Sequence, residues 1–362
     1  MSTKQTVIGI LSYRNGTRFF EPKMFREWIA AGKSLGVSVY IFDSYDVREK
    51  SRQIYGFTHN GKGWVGKLQP WPDIVIDRRR SKITPHYRAL RRKKLFPFIN
   101  GPFISKLPAT KMFAADDRTA RWVPETAPYT ANNLKQLAAK YATIYAKPSN
   151  GTGGYGVVRI KRTSTGSYLV WGRQRNARLQ EIKFKNIAGV NGWLLHWSRN
   201  QRRGTGGFML QQGINTEHIP NRSIDARLMY QRDAEGKWQT TGIGMRISAE
   251  RSPNSNLINR NSYGAKFRPF LIERFGEART DEIEKDCEEL AKQLAAVIDS
   301  RGFKLYEIGI DLAVDVDGRV WLIEVNPKPS RDILITVGDH AAHQRGLELP
   351  LEYAMFKARQ HQ

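Results

Sequence analysis

"YAKPSNGTGGYGVVRI", residues 145–160, decides between the nucleotide-binding folds. Gly151-Thr152-Gly153-Gly154-Tyr155-Gly156 matches G-x-G-x-x-G, and Val158 extends the match to the form that protein kinases use. The flanks separate the options. A dinucleotide-binding fold places such glycines between a strand and a helix, so that the helix N-terminus faces the pyrophosphate. Here they run into VVRIKR, a β-branched strand sequence. The pattern is therefore strand–loop–strand. A P-loop needs Gly-Lys-Ser/Thr after the loop, and none follows it. A kinase needs a Lys on a later strand, H-R-D and D-F-G, all absent. What remains is Lys147 ahead of a glycine hairpin. Glycine lets backbone N–H groups approach phosphates, and the lysine adds a point charge. A glycine-rich β-turn with no ligand has the same local sequence.

A second stretch narrows the choice: "YEIGIDLAVDVDGRVWLIEVNPKPSR", residues 306–331. A two-residue turn at Asp317-Gly318 would set Val316 opposite Arg319 and Asp311 opposite Glu324. Glu324 and Asn326 share a face of their strand. Asp311, Glu324 and Asn326 then converge, with opposed Cβ atoms roughly 5 Å apart. Two carboxylates that close repel unless a cation lies between them. Oxygen-only donors favour Mg²⁺ or Mn²⁺, which complete their shell with water and nucleotide phosphate. The other face carries Ile310, Leu312, Val314, Trp321, Ile323 and Val325, the expected core face. A merely solvated acidic face explains poorly why these acids interrupt a hydrophobic strand pair.

The rest of the chain alternates strand and helix patterns up to about residue 107: TVIGIL, a helix opened by Pro22, VSVYIF, a glycine-bearing loop or hairpin, PDIVIDR, and a helix capped by Thr84. This predicts a small parallel α/β domain. The expected division is 1–107, 108–210 with the glycine loop, 211–345 with the acidic hairpin, and a tail at 346–362. The single Cys287 excludes an intramolecular disulfide framework, and Ile283, Cys287, Leu290, Leu294 and Ile298 recur at helical spacing, so the thiol reads as buried and structural. Only a five-residue apolar run opens the chain, and no window reaches a membrane span. A cytoplasmic protein is expected, with no membrane partner.

The five segments "KMFAADDRTARWVPETAPY", "YAKPSNGTGGYGVVRI", "FMLQQGIN", "DARLMYQRDAEGKWQTTGIGMRISAE" and "DLAVDVDGRVWLIEVNPKPS" together resemble the ATP-grasp superfamily, closest to its YheC/YheD-like, endospore coat-associated group. The resemblance implies an ATP-grasp fold preceded by the parallel α/β domain. It implies an ADP-forming ligase that activates a carboxylate as an acyl phosphate and passes it to an amine, on small molecules or peptides, with ATP and Mg²⁺ (or Mn²⁺). It implies spore association. By resemblance, Lys111 and Lys147 contact ATP, and Gly151 to Gly156 cover its phosphates. Gln211, Gln212, Gly213 and Ile214 hold adenine, with Gln212 where many relatives carry Glu. Arg227 and Arg246 face the transferring phosphoryl group, and Asn259 belongs to the acceptor-side loop. Asp311, Glu324 and Asn326 hold the metal. The alternative is an ATP-binding coat or scaffold protein with little turnover.

Charge adds one more expectation. Lys and Arg total 59 against 34 Asp and Glu, a net +25. Such a surface attracts polyanions. "DRRRSK" (77–82) and "RRKK" (91–94) mark a patch for an acidic polymer or coat component. No nucleic-acid-binding motif accompanies them, so nucleic acid is not the expected primary partner. An inert basic surface is the plainer reading.

Overall fold

The computed structural model describes residues 5–80, 83–150, 155–173, 179–201, 207–252, 255 and 261–361. Three sheets organise them. In the first, Val7–Leu11 lies between Ser38–Phe42 and Ile74–Asp77, parallel to both. These runs are buried almost throughout, as parallel strands covered on both faces require. Pro22 opens the helix Pro22–Ser34, which buries Phe25, Trp28 and Ile29 against the sheet. The sheet is mixed rather than wholly parallel. The glycine-bearing stretch forms the hairpin Gln53–His59/Trp64–Pro70, which joins antiparallel beside Ser38–Phe42. A short turn permits only antiparallel pairing, whereas a parallel strand needs a long crossover.

The expected tail is also corrected. Residues His340–Arg359 form a helix whose Leu347, Leu351, Ala354 and Ala358 enter the core around Trp28, Ile10 and Ile76. The chain's end thus packs back on the first domain. Asp339 caps this helix, accepting from the Ala342 N–H at 3.0 Å.

The second sheet is antiparallel, with Thr143–Pro148 between Val158–Arg162 and Phe208–Gln212. The strand–loop–strand reading of the opening stretch therefore holds. Helices Ala131–Lys140 and Ile187–Gln201 cover one face around Leu134, Ile144 and Leu210. The third sheet has five antiparallel strands, in the order Tyr263–Lys266, Trp238–Ile247, Ile224–Arg232, Glu307–Val314, Val320–Asn326. Its back face packs on the helical segment Phe267–Ser300, which breaks at Gly276 (φ +75°). Ile283, Cys287, Leu290, Leu294 and Ile298 are buried there, as their spacing demands, and burial pushes the Cys287 thiol up. No helix among the described residues is long and apolar enough to cross a membrane.

Most of the basic run at 77–80 is buried, and only Arg80 is exposed. Arg78 is 0% exposed. Its guanidinium donates to Glu21 (3.0 and 3.1 Å), to Glu307 Oε1 (2.9 Å) and to the Pro329 carbonyl (2.6 Å). Arg79 is buried beside Asp43, and Asp77 accepts from Tyr87 and Lys328. The second run sits in the last turn of helix Pro85–Lys93, where positive charge suits the helix dipole. Arg91 turns inward to the Asn100 carbonyl (2.8 Å), so only Arg92, Lys93 and Lys94 are exposed. Arg80 is exposed and bonds Glu21 (2.8 Å), and residues 81–82 lie outside the described residues, so the expected patch shrinks, among the described residues, to Arg80, Arg92, Lys93 and Lys94.

Glu307 is 0% exposed and sits between two guanidiniums: Arg331 bonds Oε2, Arg78 bonds Oε1. Tyr306 and Gln231 donate to it at 3.0 and 3.2 Å. Removing one member of such a buried set leaves uncompensated charge, which costs about 3–5 kcal/mol. Glu307→Ala is expected to lower the unfolding free energy by that amount in urea titration, while Arg92→Ala changes it by less than about 0.5 kcal/mol. Equal small losses in both variants would refute this role for Glu307.

Candidate functional site

The acidic hairpin reaches its predicted pairing by a different route. Asp315 N–H bonds the Arg319 carbonyl (2.9 Å) and Gly318 N–H bonds the Asp315 carbonyl (2.9 Å), so the turn holds three residues, not two. Gly318 takes φ +79°, the left-handed position such a turn ends on. This shifts the register by one: Val314 faces Val320, and Leu312 faces Leu322. A bulge at Ile323 then restores the offset, and Asp311 faces Glu324 after all. The core face changes accordingly. Val320, Leu322 and Val325 join Ile310, Leu312 and Val314 in the core, while Trp321 turns its Nε1 to Asp315 (2.8 Å) and Ile323 reaches the cleft.

The front face of the third sheet is a row of alternating charges. Asp225 pairs in register with Arg246, Arg227 with Asp311, and Asp311 with Glu324. Arg246 clasps Asp225 with two bonds (2.7 and 2.8 Å) and reaches Asp311 Oδ1 at 3.2 Å. Arg227 donates to the same oxygen, and Asn326 Nδ2 donates to Asp311 Oδ2 at 3.3 Å. Burial alone would raise Asp311, but the two guanidiniums hold its carboxyl well below the usual range. Burial likewise opposes charge on Arg246, and Asp225 and Asp311 reverse that and push it up. Glu324 is bound by Lys106, whose Nζ lies 2.7 Å from Oε2.

The second sheet faces this row. Its strands point Ile144, Ala146 and Leu210 into their own core, so Lys147, Met209 and Gln211 project the other way. Lys147 Nζ donates to Gln211 Oε1 (2.7 Å), and Gln211 Nε2 donates to Thr126 Oγ1 (3.0 Å). Burial lowers Lys147 to about 8, with Glu324 and Asp311 opposing and Lys106 assisting the shift. Lys106, Thr110, Phe113, Lys147, Met209 and Glu324 close on one another and leave about 10 Å³ of open space. That is roughly the room one water occupies. That space is too small for a larger ligand.

Of the remaining predicted residues, Gln212 accepts from the Glu125 N–H (3.2 Å), and Gly213 N–H bonds the Thr143 carbonyl (2.9 Å). Ile214 follows, half-buried, at the join of the second and third sheets. Gly156 accepts from Trp197 Nε1 at 3.3 Å, and Tyr155 precedes it, partly buried. Lys111 is exposed; its carbonyl accepts from the Ala115 N–H (3.0 Å), and its side chain makes no hydrogen bond or ion pair among the described residues. Gly151, Thr152, Gly153, Gly154 and Asn259 lie outside the described residues. Sequence reasoning missed Lys106. The signal was available: in helix Lys106–Ala114, residues 106, 109, 110 and 113 form one face, and Lys111 is off it. It also missed Lys328, which bonds Asp77 (3.1 Å) and the Arg79 carbonyl (2.9 Å). Among the described residues, no group of three or more His, Cys, Asp and Glu assembles. The candidate cation donors are two carboxylates and an amide.

A family model for the YheC/D like ATP-grasp matches residues 95–356. Endospore coat-associated protein YheD of Bacillus subtilis (strain 168) is 24% identical over 350 residues, 92% of this chain and 73% of YheD. YheC of the same organism is 20% identical over 349 residues, 92% of each chain. Among solved structures, the chain is similar to VanG D-Ala:D-Ser ligase from Enterococcus faecalis, with TM-score 0.57 and 11% identity, covering 97% of this chain and 100% of that one. It is also similar to D-alanyl-alanine synthetase A from Vibrio cholerae O1 biovar eltor str. N16961, with TM-score 0.54 and 11% identity, covering 99% and 100%. At such identity the likeness to these two is one of fold.

Gly309 shares the charged face with Glu307 and Asp311. A Cβ there would lie 2.5 Å from Pro329 Cβ and 3.2 Å from Arg227 Cδ. Gly309→Ala is expected to cost about 1–3 kcal/mol in urea titration, through overpacking against backbone-fixed Pro329. A loss below about 0.5 kcal/mol would show that the loop yields freely.

Proposed function

The chain belongs to the YheC/D-like ATP-grasp family, and from that premise we propose that it is an ATP-dependent, ADP-forming ligase joining a carboxylate to an amine, on small molecules or peptides. One observation carries the reading. Lys147 on the second sheet meets, across one closed cleft, Glu324 at the end of the row Arg246, Arg227, Asp311, Glu324 on the third. On this reading, cations for phosphate and carboxylates for a metal face each other from two sheets joined through residues 213–223.

The donor set fits Mg²⁺ (or Mn²⁺). Asp311, Glu324 and Asn326 offer two carboxylates and an amide oxygen, and each carboxylate already lies against a cationic side chain. Bound there, the metal would neutralise phosphate charge. The chain's own residues do the rest. Lys147, with the glycine loop through Gly156, would bind the phosphates, and Lys106 rather than the exposed Lys111 lies beside them on the helix Lys106–Ala114. The segment Gln211, Gln212, Gly213 and Ile214 would hold adenine. Arg227 and Arg246 lie where charge develops on the transferring group. A carboxylate oxygen attacks the γ-phosphorus and ADP leaves; the amine nitrogen then attacks the acyl carbon and phosphate leaves. Asn259, outside the described residues, would by the family resemblance orient the second substrate. Reclosure of the cleft keeps water from the acyl phosphate.

The test is an ADP-release screen over carboxylate and amine pools, with mass spectrometry of the products. A condensed product and ADP in equal amounts are expected; ADP without any condensed product across the pools would contradict the ligase reading. Glu324→Gln should lower turnover at least about 10²-fold, and wild-type rates in that variant would remove Glu324 from the metal set. ATP affinity should be full below pH 8, where Lys147 is charged, and fall by up to about tenfold per pH unit above it. Lys147→Arg keeps its charge and should flatten that profile in calorimetric titration. A fall of the same steepness in the variant would assign the pH dependence elsewhere.

A further inference from the structure

Two cationic segments of the first domain meet at its surface. The turn at 49–52 links Val47–Arg48 to Gln53–His59, and the helix Pro85–Lys93 ends beside it. Two contacts fix this meeting. Lys93 Nζ lies 2.5 Å from Glu49 Oε1. The Arg52 guanidinium lies over the Trp71 ring (5.2 Å), and Trp71 packs on Phe96 just past the helix end, with centroids 5.2 Å apart. Arg48, Lys50, Arg52, Arg92, Lys93 and Lys94 are all exposed there. Glu49 is the only acid of the two segments, and Lys93 takes it. The other five cations have no carboxylate within 4.0 Å among the described residues.

Two of the six sit where a side chain is unfavourable. Arg52 (φ +50°) and Lys94 (φ +50°, ψ +37°) take left-handed backbone, in which a Cβ crowds the carbonyl. Lys94 thereby holds the helix-ending position that glycine ordinarily fills. Arg92 also repels Arg88, exposed one helical turn before it. Local structure alone would favour glycine at 52 and 94 and a neutral residue at 92. Positive charge stands here against that preference, and a partner of opposite charge accounts for it where a merely solvated surface does not.

The class of partner follows from the chemistry of the surface. Single-stranded nucleic acid calls for open rings on which bases stack, and Trp71 is half-buried with Arg52 over it. A lipid surface calls for apolar side chains beside the cations, and none interrupts 48–52 or 92–94. Three arginines and three lysines on two short segments suit separate carboxylates along a flexible chain. We propose that this surface docks an acidic polypeptide segment, its carboxylates on Arg48, Lys50, Arg52, Arg92 and Lys94. None of these residues lines the cleft of Lys147 and Glu324, so the proposal stands whether or not the chain is a ligase.

The probe is a fluorescent oligoglutamate peptide, with oligoglutamine as the uncharged control, titrated with the full chain at low salt by anisotropy. Saturable binding of oligoglutamate alone is expected, weakening as salt rises. Arg52→Gly with Lys94→Gly should weaken it about tenfold and keep or raise the unfolding midpoint, since glycine suits both positions. Lys135→Gln with Lys292→Gln removes the same charge from exposed helix positions elsewhere and should weaken it less than about twofold. Equal losses in the two variants would assign the binding to the overall charge of the chain. Unchanged affinity in the glycine variant would remove Arg52 and Lys94 from the site. Tighter binding of oligothymidylate of matched charge, or of phosphatidylglycerol vesicles, would replace the acidic polypeptide with nucleic acid or a lipid surface. Each of these results would overturn the proposal.

Discussion

Glu307, caught between Arg78 and Arg331 with no exposure to water, is the contact on which the geometry of the site depends. It begins the strand that carries Asp311 four residues on, and both project from the same face. Arg78 comes from the end of a first-sheet strand, so the salt bridge fixes where the third sheet meets the first domain. The chain leaving Asn326 is tied to that same strand end through Lys328 on Asp77 and through the Pro329 carbonyl on Arg78. Both strands of the acidic hairpin are thereby anchored on one side. A buried ion network gains little stability over a well-packed apolar core. On this account its contribution is register: it holds Asp311, Glu324 and Asn326 at one place relative to the first domain.

Paired charges line the cleft itself. The charged groups around the cleft have protein partners: Asp311 its two arginines, Glu324 its lysine, Lys147 the amide of Gln211. A triphosphate with its cation brings the same charges in another arrangement. Lys106 would give up Glu324 to the metal, and Lys147 would give up Gln211 for phosphate. Such swaps keep the number of paired charges roughly constant, so opening the cleft need not strand a charge in a low-dielectric interior. The second sheet is joined to the third through residues 213–223, between Phe208–Gln212 and Ile224–Arg232.

Most of the architecture was legible because it is written locally. The β-branched runs, the Thr84 cap, the helical spacing around Cys287 and the strand–loop–strand context of the glycines each involve neighbours in sequence. What was not legible is long-range. Arg78 and Glu307 are 229 residues apart, so a run of arginines that reads as surface charge is in fact a core junction. The hairpin shows a subtler limit. Its turn was one residue longer than expected and its second strand bulged by one, and the two departures cancelled at Asp311 and Glu324 while exchanging Trp321 and Ile323 for Val320 and Leu322 in the core. Lys106 escaped notice because the resemblance pointed five residues on, to Lys111, on a different face of the same helix.

The central claim is that the cleft between the second and third sheets is the nucleotide site, opened by movement of one sheet from the other. A crystal structure of the full chain with Mg²⁺ and a non-hydrolysable ATP analogue tests it most directly. The account predicts the triphosphate between Lys147 and the acidic hairpin, the metal on oxygens of Asp311, Glu324 and Asn326, and Lys106 released from Glu324. A nucleotide bound outside that cleft, or a metal bound with Lys106 still on Glu324, would contradict it.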